Sequence, residues 1–362
     1  MTRYCHGLVV GKFYPPHAGH HCLIRTAARQ CDKVSVVVAA SQVESIPLVD
    51  RVAWLRDEHA VDDNVAIIGV LDDAPVDYDS SQAWAAHTAV FDAALRRAGD
   101  DRIDAVFSSE KYGDELAAHY AAVHVEVDRA RLEYPVSGAA CREDLAATWN
   151  CLAPATRAGL CTRVVVVGAE STGTTTVSLA LADRFRARGG IWAQTRWVGE
   201  YGREWSQQKL DLLRGSNPTA GLDEVSWTGE DFAHVAAVQT QREEAASRDG
   251  SPLLVCDTDA FATQVWERRY LGSDSHHAAT AAVPHHDVYL VTDHIDVPFV
   301  QDGLRDGEHI RADMTRWFLD ALTATARSWV LLTGSLDDRV GLAVAVVDDM
   351  LRLRSIFAEP LG

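Results

Sequence analysis

Apolar residues along this chain come in short blocks, spaced as strands and helices that take turns. GLVV (7–10), VSVVVAA (34–40), VAIIGVL (65–71), DAVFSS (104–109) and VHVEVD (123–128) are rich in β-branched residues and short enough to be strands. Between them HCLIRTAARQ, VDRVAWLRDEH, SQAWAAHTAVFDAALRRAG and YGDELAAHYA repeat apolar positions every three or four residues, and a further helix follows Ser137. Strand and helix in strict alternation predict an α/β fold with a parallel sheet covered on both faces.

The rhythm breaks at CLAPATRAGLCT (151–162) and restarts with RVVVVGAESTGTTTVSLALADRF (163–185). TRWVGE, PLLVCDTD, DVYLVTD and SWVLLTG supply the later strands. Two domains are therefore expected, residues 1–152 and 163–362, with a linker at 153–162. The stretches 213–230 and 272–285 read as loops.

Composition narrows the function classes. Hydrophobic residues make up 47% and charged residues 24% of 362, an ordinary globular balance. No apolar run is long enough to span a membrane and MTRYCHGLVV is no signal peptide, so a cytoplasmic protein without a membrane partner is expected. A net charge of −18 argues against a nucleic-acid partner. The seven cysteines show no zinc spacing and read as free, mostly buried thiols. His276–His277 and His285–His286 read as surface loop. A homo-oligomer is allowed by the sequence.

The first candidate site is the junction GKFYPPHAGH (11–20). A strand runs through Gly11 and Lys12 into a helix start, with His17 and His20 three apart around Gly19. Imidazoles at that spacing share a helical face, beside unpaired N–H groups that suit phosphate oxygens. A second stretch, VDRARLEYPVSGAACRED (127–144), sets Ser137 at an N-cap, Gly138 after it and Arg142 one turn on. Together they resemble the NadR-type family, bifunctional nicotinamide-mononucleotide adenylyltransferases and ribosylnicotinamide kinases. Gly11, Lys12, Phe13, Tyr14, Pro15, His17, Gly19 and His20 match its first signature; Val136, Ser137, Gly138, Arg142 and Glu143 match its second.

The resemblance implies a Rossmann-like HxGH nucleotidyltransferase domain followed by a P-loop kinase-like domain. It implies ATP, nicotinamide mononucleotide and ribosylnicotinamide as substrates, with Mg²⁺ carried on the ATP phosphates. His17, His20 and Lys12 would stabilise phosphate charge, Arg142 would hold the leaving pyrophosphate, and Gly11, Phe13, Gly19, Ser137 and Gly138 would contact ATP. Arg51 and Trp54 resemble the family's R-x-x-W-L and are substrate-pocket candidates. Some NadR-type proteins carry a helix-turn-helix ahead of this domain. The chain begins at the first strand of the transferase and is acidic, which argues against a transcriptional regulator.

In the second domain VVVVGAESTGTTT has the form of a phosphate-binding loop. Gly168, Ser171 and Gly173 shape it, and Thr175 stands where Mg²⁺ takes a hydroxyl. Thr174 occupies the lysine slot, a departure from the family's G-x-E-S-x-G-K-S. Asp257 and Asp259 end one strand; Glu200, Tyr201 and Arg203 end another; Arg305 and Arg311 lie in and after QDGLRD. Asp257 is expected to position Mg²⁺ or activate the ribose 5′-hydroxyl, with Glu200 the alternative base. Tyr201, Arg203 and Asp259 are substrate candidates. Arg305 or Arg311 is expected to stand in for the lysine. The alternative is a lone adenylyltransferase with a nucleotide sensor attached.

Overall fold

The computed structural model describes residues 3–77, 80–99, 102–272, 275–278 and 286–361. They form two units, Met1–Leu160 with Ser355–Gly362, and Cys161–Arg354.

In the first unit the predicted runs become β1 (Tyr4–Gly11), β2 (Cys31–Ala40), β3 (Val65–Leu71), β4 (Ala105–Ser108) and β5 (Val123–Glu126). They pair in the order β3-β2-β1-β4-β5, every pair parallel. β1 shows no alternation because both its faces are covered: Val9 packs with Ile24, Val36 and Leu55, while Leu8 and Val10 pack with Phe91 and Val106. The chain leaves β1 toward β2 and β3, then returns to lay β4 on β1's other side. That reversal opens a crevice beyond the carboxyl ends of β1 and β4.

Two expectations about this unit are corrected. Residues 153–162 are no free linker, because Pro154–Leu160 is a helix packed against the helix Leu48–Glu58. The contact is tight: a Cβ on Gly159 would lie 2.2 Å from the Trp54 ring. Residues from Ser355 onward also cluster with the first unit, Tyr14 Oη donating to Ala358 O (2.9 Å) and Ala358 N–H to Ser45 Oγ (2.6 Å).

The second unit holds β6 (Thr162–Gly168), β7 (Arg196–Val198), β8 (Leu253–Asp257), β9 (Val288–Thr292) and β10 (Trp329–Leu332). Their order is β10-β9-β6-β8-β7, again wholly parallel. Val164, Val166, Leu181, Phe185, Val255 and Leu290 form its core. The stretch 213–230 is more ordered than a loop: the helix Tyr201–Arg214 enters it, and Trp227 packs on Phe232. Of 272–285, residues 273–274 and 279–285 lie outside the described residues, whereas the N–H groups of His277 and Ala278 are held by the Glu267 carboxylate at 2.8 Å. His286, expected on a surface loop, is buried between Glu243 and Asp259; His285 lies outside the described residues. All seven cysteines are free, and Cys31, Cys141, Cys161 and Cys256 are buried.

Candidate functional site

The crevice beyond β1 and β4 is a cavity of about 510 Å³ lined by Gly11, Lys12, Phe13, His20, Ser137, Gly138 and Arg142. That volume suits a nucleotide. His17 lines an adjoining recess with Gly19, His20, Gly138 and Arg131. His17 caps the helix Ala18–Gln30, and the His17 and His20 rings stack with centroids 3.7 Å apart. The His17 N–H donates to His20 Nδ1 (3.3 Å), so the proton of a neutral His20 ring sits on Nε2.

Burial, with the Arg131 charge adding to it, lowers the His17 pKa to about 4. Burial first, then the charges of His17, His21 and Arg131, push His20 well below its ordinary value. Both imidazoles are therefore neutral donor–acceptors at neutral pH. His17 Nδ1 is buried with no hydrogen-bond partner among the described residues. Such an atom costs about 1–3 kcal/mol unless a ligand or water meets it.

Around the histidines, Lys12 Nζ lies 3.2 Å from Glu44 Oε1 and donates to Leu361 O (3.3 Å). Phe13 is buried, its ring 4.8 Å from that of His20. Ser137 Oγ accepts the Ala140 N–H at 3.1 Å. Arg142 donates to Tyr14 O (2.8 Å) and lies over the Tyr14 ring. A Cβ at Gly138 would meet Tyr14 O at 2.9 Å, so the two signature segments touch there.

Two substrate candidates are corrected. Arg51 is wholly buried: its guanidinium meets Glu44 Oε2 at 2.6 Å, Lys12 O at 2.9 Å and Ile46 O at 2.5 Å. It braces the Lys12 turn and does not line the cavity. Trp54 faces Gly159 and is packing. Conversely, Arg131 reaches both recesses and pairs with Glu110 at 2.8 Å. One arginine in a charged loop carries no pattern, so sequence reasoning missed it. Asp72, Asp77, Trp84 and His87 line the far end, drawn from two segments whose spacing says nothing of their meeting.

In the second unit the loop after β6 and the end of β8 border a cavity of about 120 Å³. A Cβ on Gly168 would sit 2.2 Å from Thr292 Oγ1, and Gly173 has φ +90°, a left-handed conformation. Ser171, Thr174, Thr175, Glu200, Arg203, Asp257 and Arg305 line it. Thr175 Oγ1 donates to Asp257 Oδ2 at 2.5 Å. Burial raises the Asp257 pKa to about 6, the hydroxyls of Thr175 and Thr174 and the Arg203 charge pulling the other way. Burial, then the Asp257 charge, raises Glu200 to about 7.

Arg203 pairs with Asp302. Arg305 lies 3.4 Å from Asp302 and 3.5 Å from Ser171 Oγ. Arg311 departs from expectation: buried, it donates to Ser171 O (3.0 Å) and Val297 O (2.9 Å) and clamps the loop's backbone. Asp259 is also corrected, being fully buried, capping the helix Ala260–Leu271 and accepting from Tyr289 Oη. Tyr201 is buried with its hydroxyl on His234 (3.0 Å). Trp227, Phe232, Trp266 and Tyr270 form an apolar wall that the loop reading of 213–230 hid. Among the described residues no group of three His, Cys, Asp or Glu could hold a metal ion, and no helix is long and apolar enough to cross a membrane.

A family described as an AAA domain matches residues 163–339. Two relatives, from Escherichia coli K12 and Salmonella typhimurium LT2, are both named trifunctional NAD biosynthesis/regulator protein NadR. They are 26% and 25% identical over 317 and 313 residues, covering 83% of this chain and 71% of each relative. A solved NadR in complex with NR matches at TM-score 0.69, covering 100% of this chain and 99% of that one; a NadR with NAD and AMP-PNP matches at 0.67, covering 97% of each. Both are 20% identical to this chain and bear on the fold. The chain is thus similar in sequence to two NadR proteins over 83% of its length and shares the fold of the solved NadR structures.

Proposed function

We propose that the first unit is an HxGH nucleotidyltransferase joining nicotinamide mononucleotide to the adenylyl group of ATP. The second unit is then an ATP-dependent ribosylnicotinamide kinase that supplies the mononucleotide. One observation carries the reading: Lys12, His20, Ser137, Gly138 and Arg142, from segments more than a hundred residues apart, line one cavity at the switch point of a parallel sheet.

In adenylyl transfer a 5′-phosphate oxygen of the mononucleotide attacks the α-phosphorus of ATP. The bond to the bridging oxygen breaks and pyrophosphate leaves. No protein nucleophile is required, so the residues act by position and charge. His20 Nε2–H and Lys12 donate to the α-phosphate oxygens. His17 Nδ1 gains the partner it lacks. Arg142 and Ser137 take the leaving pyrophosphate, with Arg131 able to exchange Glu110 for phosphate.

In phosphoryl transfer the ribose 5′-hydroxyl attacks the γ-phosphorus. Glu200, near pKa 7, takes the hydroxyl proton. Thr175 and Asp257 offer an oxygen-only donor pair of the kind Mg²⁺ uses when it rides on ATP. They would hold that ion, whose charge offsets that of the phosphates. Arg305 and Arg203 approach the phosphates from the Asp302 side, and Arg311 keeps the loop in shape.

Thr174 in the lysine slot favours a second reading, in which the second unit binds nucleotide without transferring phosphate. Titration calorimetry with ATP beside a kinase assay separates the two. A lysine there adds a charge-assisted bond of about 1.5–3 kcal/mol. Thr174→Lys is accordingly expected to raise phosphorylation about ten- to hundredfold, measured with ribosylnicotinamide and ATP. An unchanged rate means Arg305 and Arg203 already do that work. The whole proposal is tested by incubating the protein with ATP, magnesium and mononucleotides. Pyrophosphate and NAD are expected, and their absence refutes it.

A further inference from the structure

The second unit buries a chain of charges that the proposed chemistry does not touch. His286 Nε2 lies 3.0 Å from Glu243 Oε2 and its Nδ1 3.2 Å from Asp259 Oδ2, all three side chains fully buried. A neutral imidazole has one N–H and cannot donate to carboxylates at both nitrogens, so with both acids ionised the ring is an imidazolium; burial raises the Glu243 pKa, and the His286 hydrogen bond and charge pull it back down. Arg327 Nη1 meets Tyr289 Oη at 3.0 Å, and that hydroxyl donates to Asp259 Oδ2 at 2.6 Å. Two positive and two negative groups thus compensate where a lone buried charge would be strongly destabilising. Burial works to lower the His286 pKa, but the Glu243 hydrogen bond and the Asp259 charge hold it above its ordinary value, with Arg163 opposing them.

Both ends of this chain hold backbone that borders the cavity, though neither lines it. Glu243 Oε1 accepts from Gln239 Nε2 (3.0 Å), which turns Gln239 Oε1 toward the Tyr201 N–H (3.0 Å). That N–H opens the helix Tyr201–Arg214, whose N-cap is Glu200. At the other end Asp259 Oδ1 accepts the Ala262 N–H at 2.8 Å, starting a helix just beyond Asp257. Glu200 and Asp257 both line the cavity.

We infer that His286 is a positioning residue for this acidic pair: its imidazolium joins Glu243 to Asp259 and thereby fixes the backbone that carries Glu200 and Asp257. The effect on rate rests on the kinase reading; the placement of Glu200 does not.

The test uses the full chain with isotope-labelled histidine and carboxylates, followed by NMR. The His286 ring, assigned by its loss in His286→Gln, is expected to carry protons on both nitrogens at neutral pH. A neutral ring overturns the inference. The Glu200 titration midpoint is expected to move by about half a pH unit or more in His286→Gln, and an unmoved midpoint overturns it. Phosphorylation kcat should fall about tenfold while KM stays within about twofold, and adenylyl transfer should be unchanged. If the unaltered protein transfers no phosphoryl group, the kinase reading fails and the two NMR results still decide. Should His286→Gln not fold, Gln239→Leu cuts the link to Tyr201 and leaves the charged trio. The same Glu200 shift supports the inference, and no shift overturns it.

Discussion

His20→Ala is expected to lower adenylyl transfer to nicotinamide mononucleotide by about 10²–10³-fold, the loss seen when one fixed donor to a developing anion is removed. The pairing of His17 N–H with His20 Nδ1 leaves Nε2–H as the His20 donor, and burial keeps the ring neutral. A neutral donor adds little to ground-state attraction for a triphosphate but strengthens as charge gathers on the α-phosphate oxygens. The loss should therefore fall on kcat more than on KM for ATP. His20→Gln, which keeps an N–H donor, should recover part of it. Pyrophosphate release with saturating substrates measures this, and ribosylnicotinamide phosphorylation in the same preparation serves as an internal control. A variant within about threefold of the parent protein excludes His20 from the reacting centre.

The parts of this molecule that could be read from sequence are those where one local pattern has one physical cause. GLVV, VVVAA and PLLVC are continuous apolar runs because their strands are covered on both faces. A turn followed by paired imidazoles or hydroxyls at a helix start marks one spot in each unit, and a cavity lies there in both. Charged residues at strand ends were less legible, since a cap, a buried brace and a ligand contact present the same letter. Asp257 faces the cavity while Asp259 caps a helix. Arg305 lines the cavity while Arg311 clamps the loop beneath it. Arg51 matched a motif and is a brace for Lys12. What sequence could not offer at all were long-range meetings: Ala358 on Tyr14, or His286 between Glu243 and Asp259. Those depend on tertiary packing that leaves no periodic trace.

Glu200→Gln is expected to lower phosphorylation of ribosylnicotinamide by about 10²–10⁴-fold, the range for removing a positioned general base. Two carboxylates share the cavity, and their surroundings give them different work. Asp257 is engaged by the Thr175 hydroxyl at 2.5 Å and sits at the end of β8, which suits it to a metal ion. Glu200 makes no hydrogen bond among the described residues, and its pKa of about 7 is raised by burial and by the Asp257 charge. A base must be deprotonated to accept the hydroxyl proton. Activity should therefore be low in acid, rise through a midpoint near pH 7 and level off above it, with about a tenth of the plateau left one unit below the midpoint. Asp257→Asn separates the roles. It removes the negative charge that raises Glu200, so the midpoint of any residual activity should move down, and the requirement for magnesium should steepen. If Glu200→Gln keeps the parent rate and pH profile while Asp257→Asn abolishes the rate, the proton goes to Asp257 and the division of labour between the two acids is the reverse.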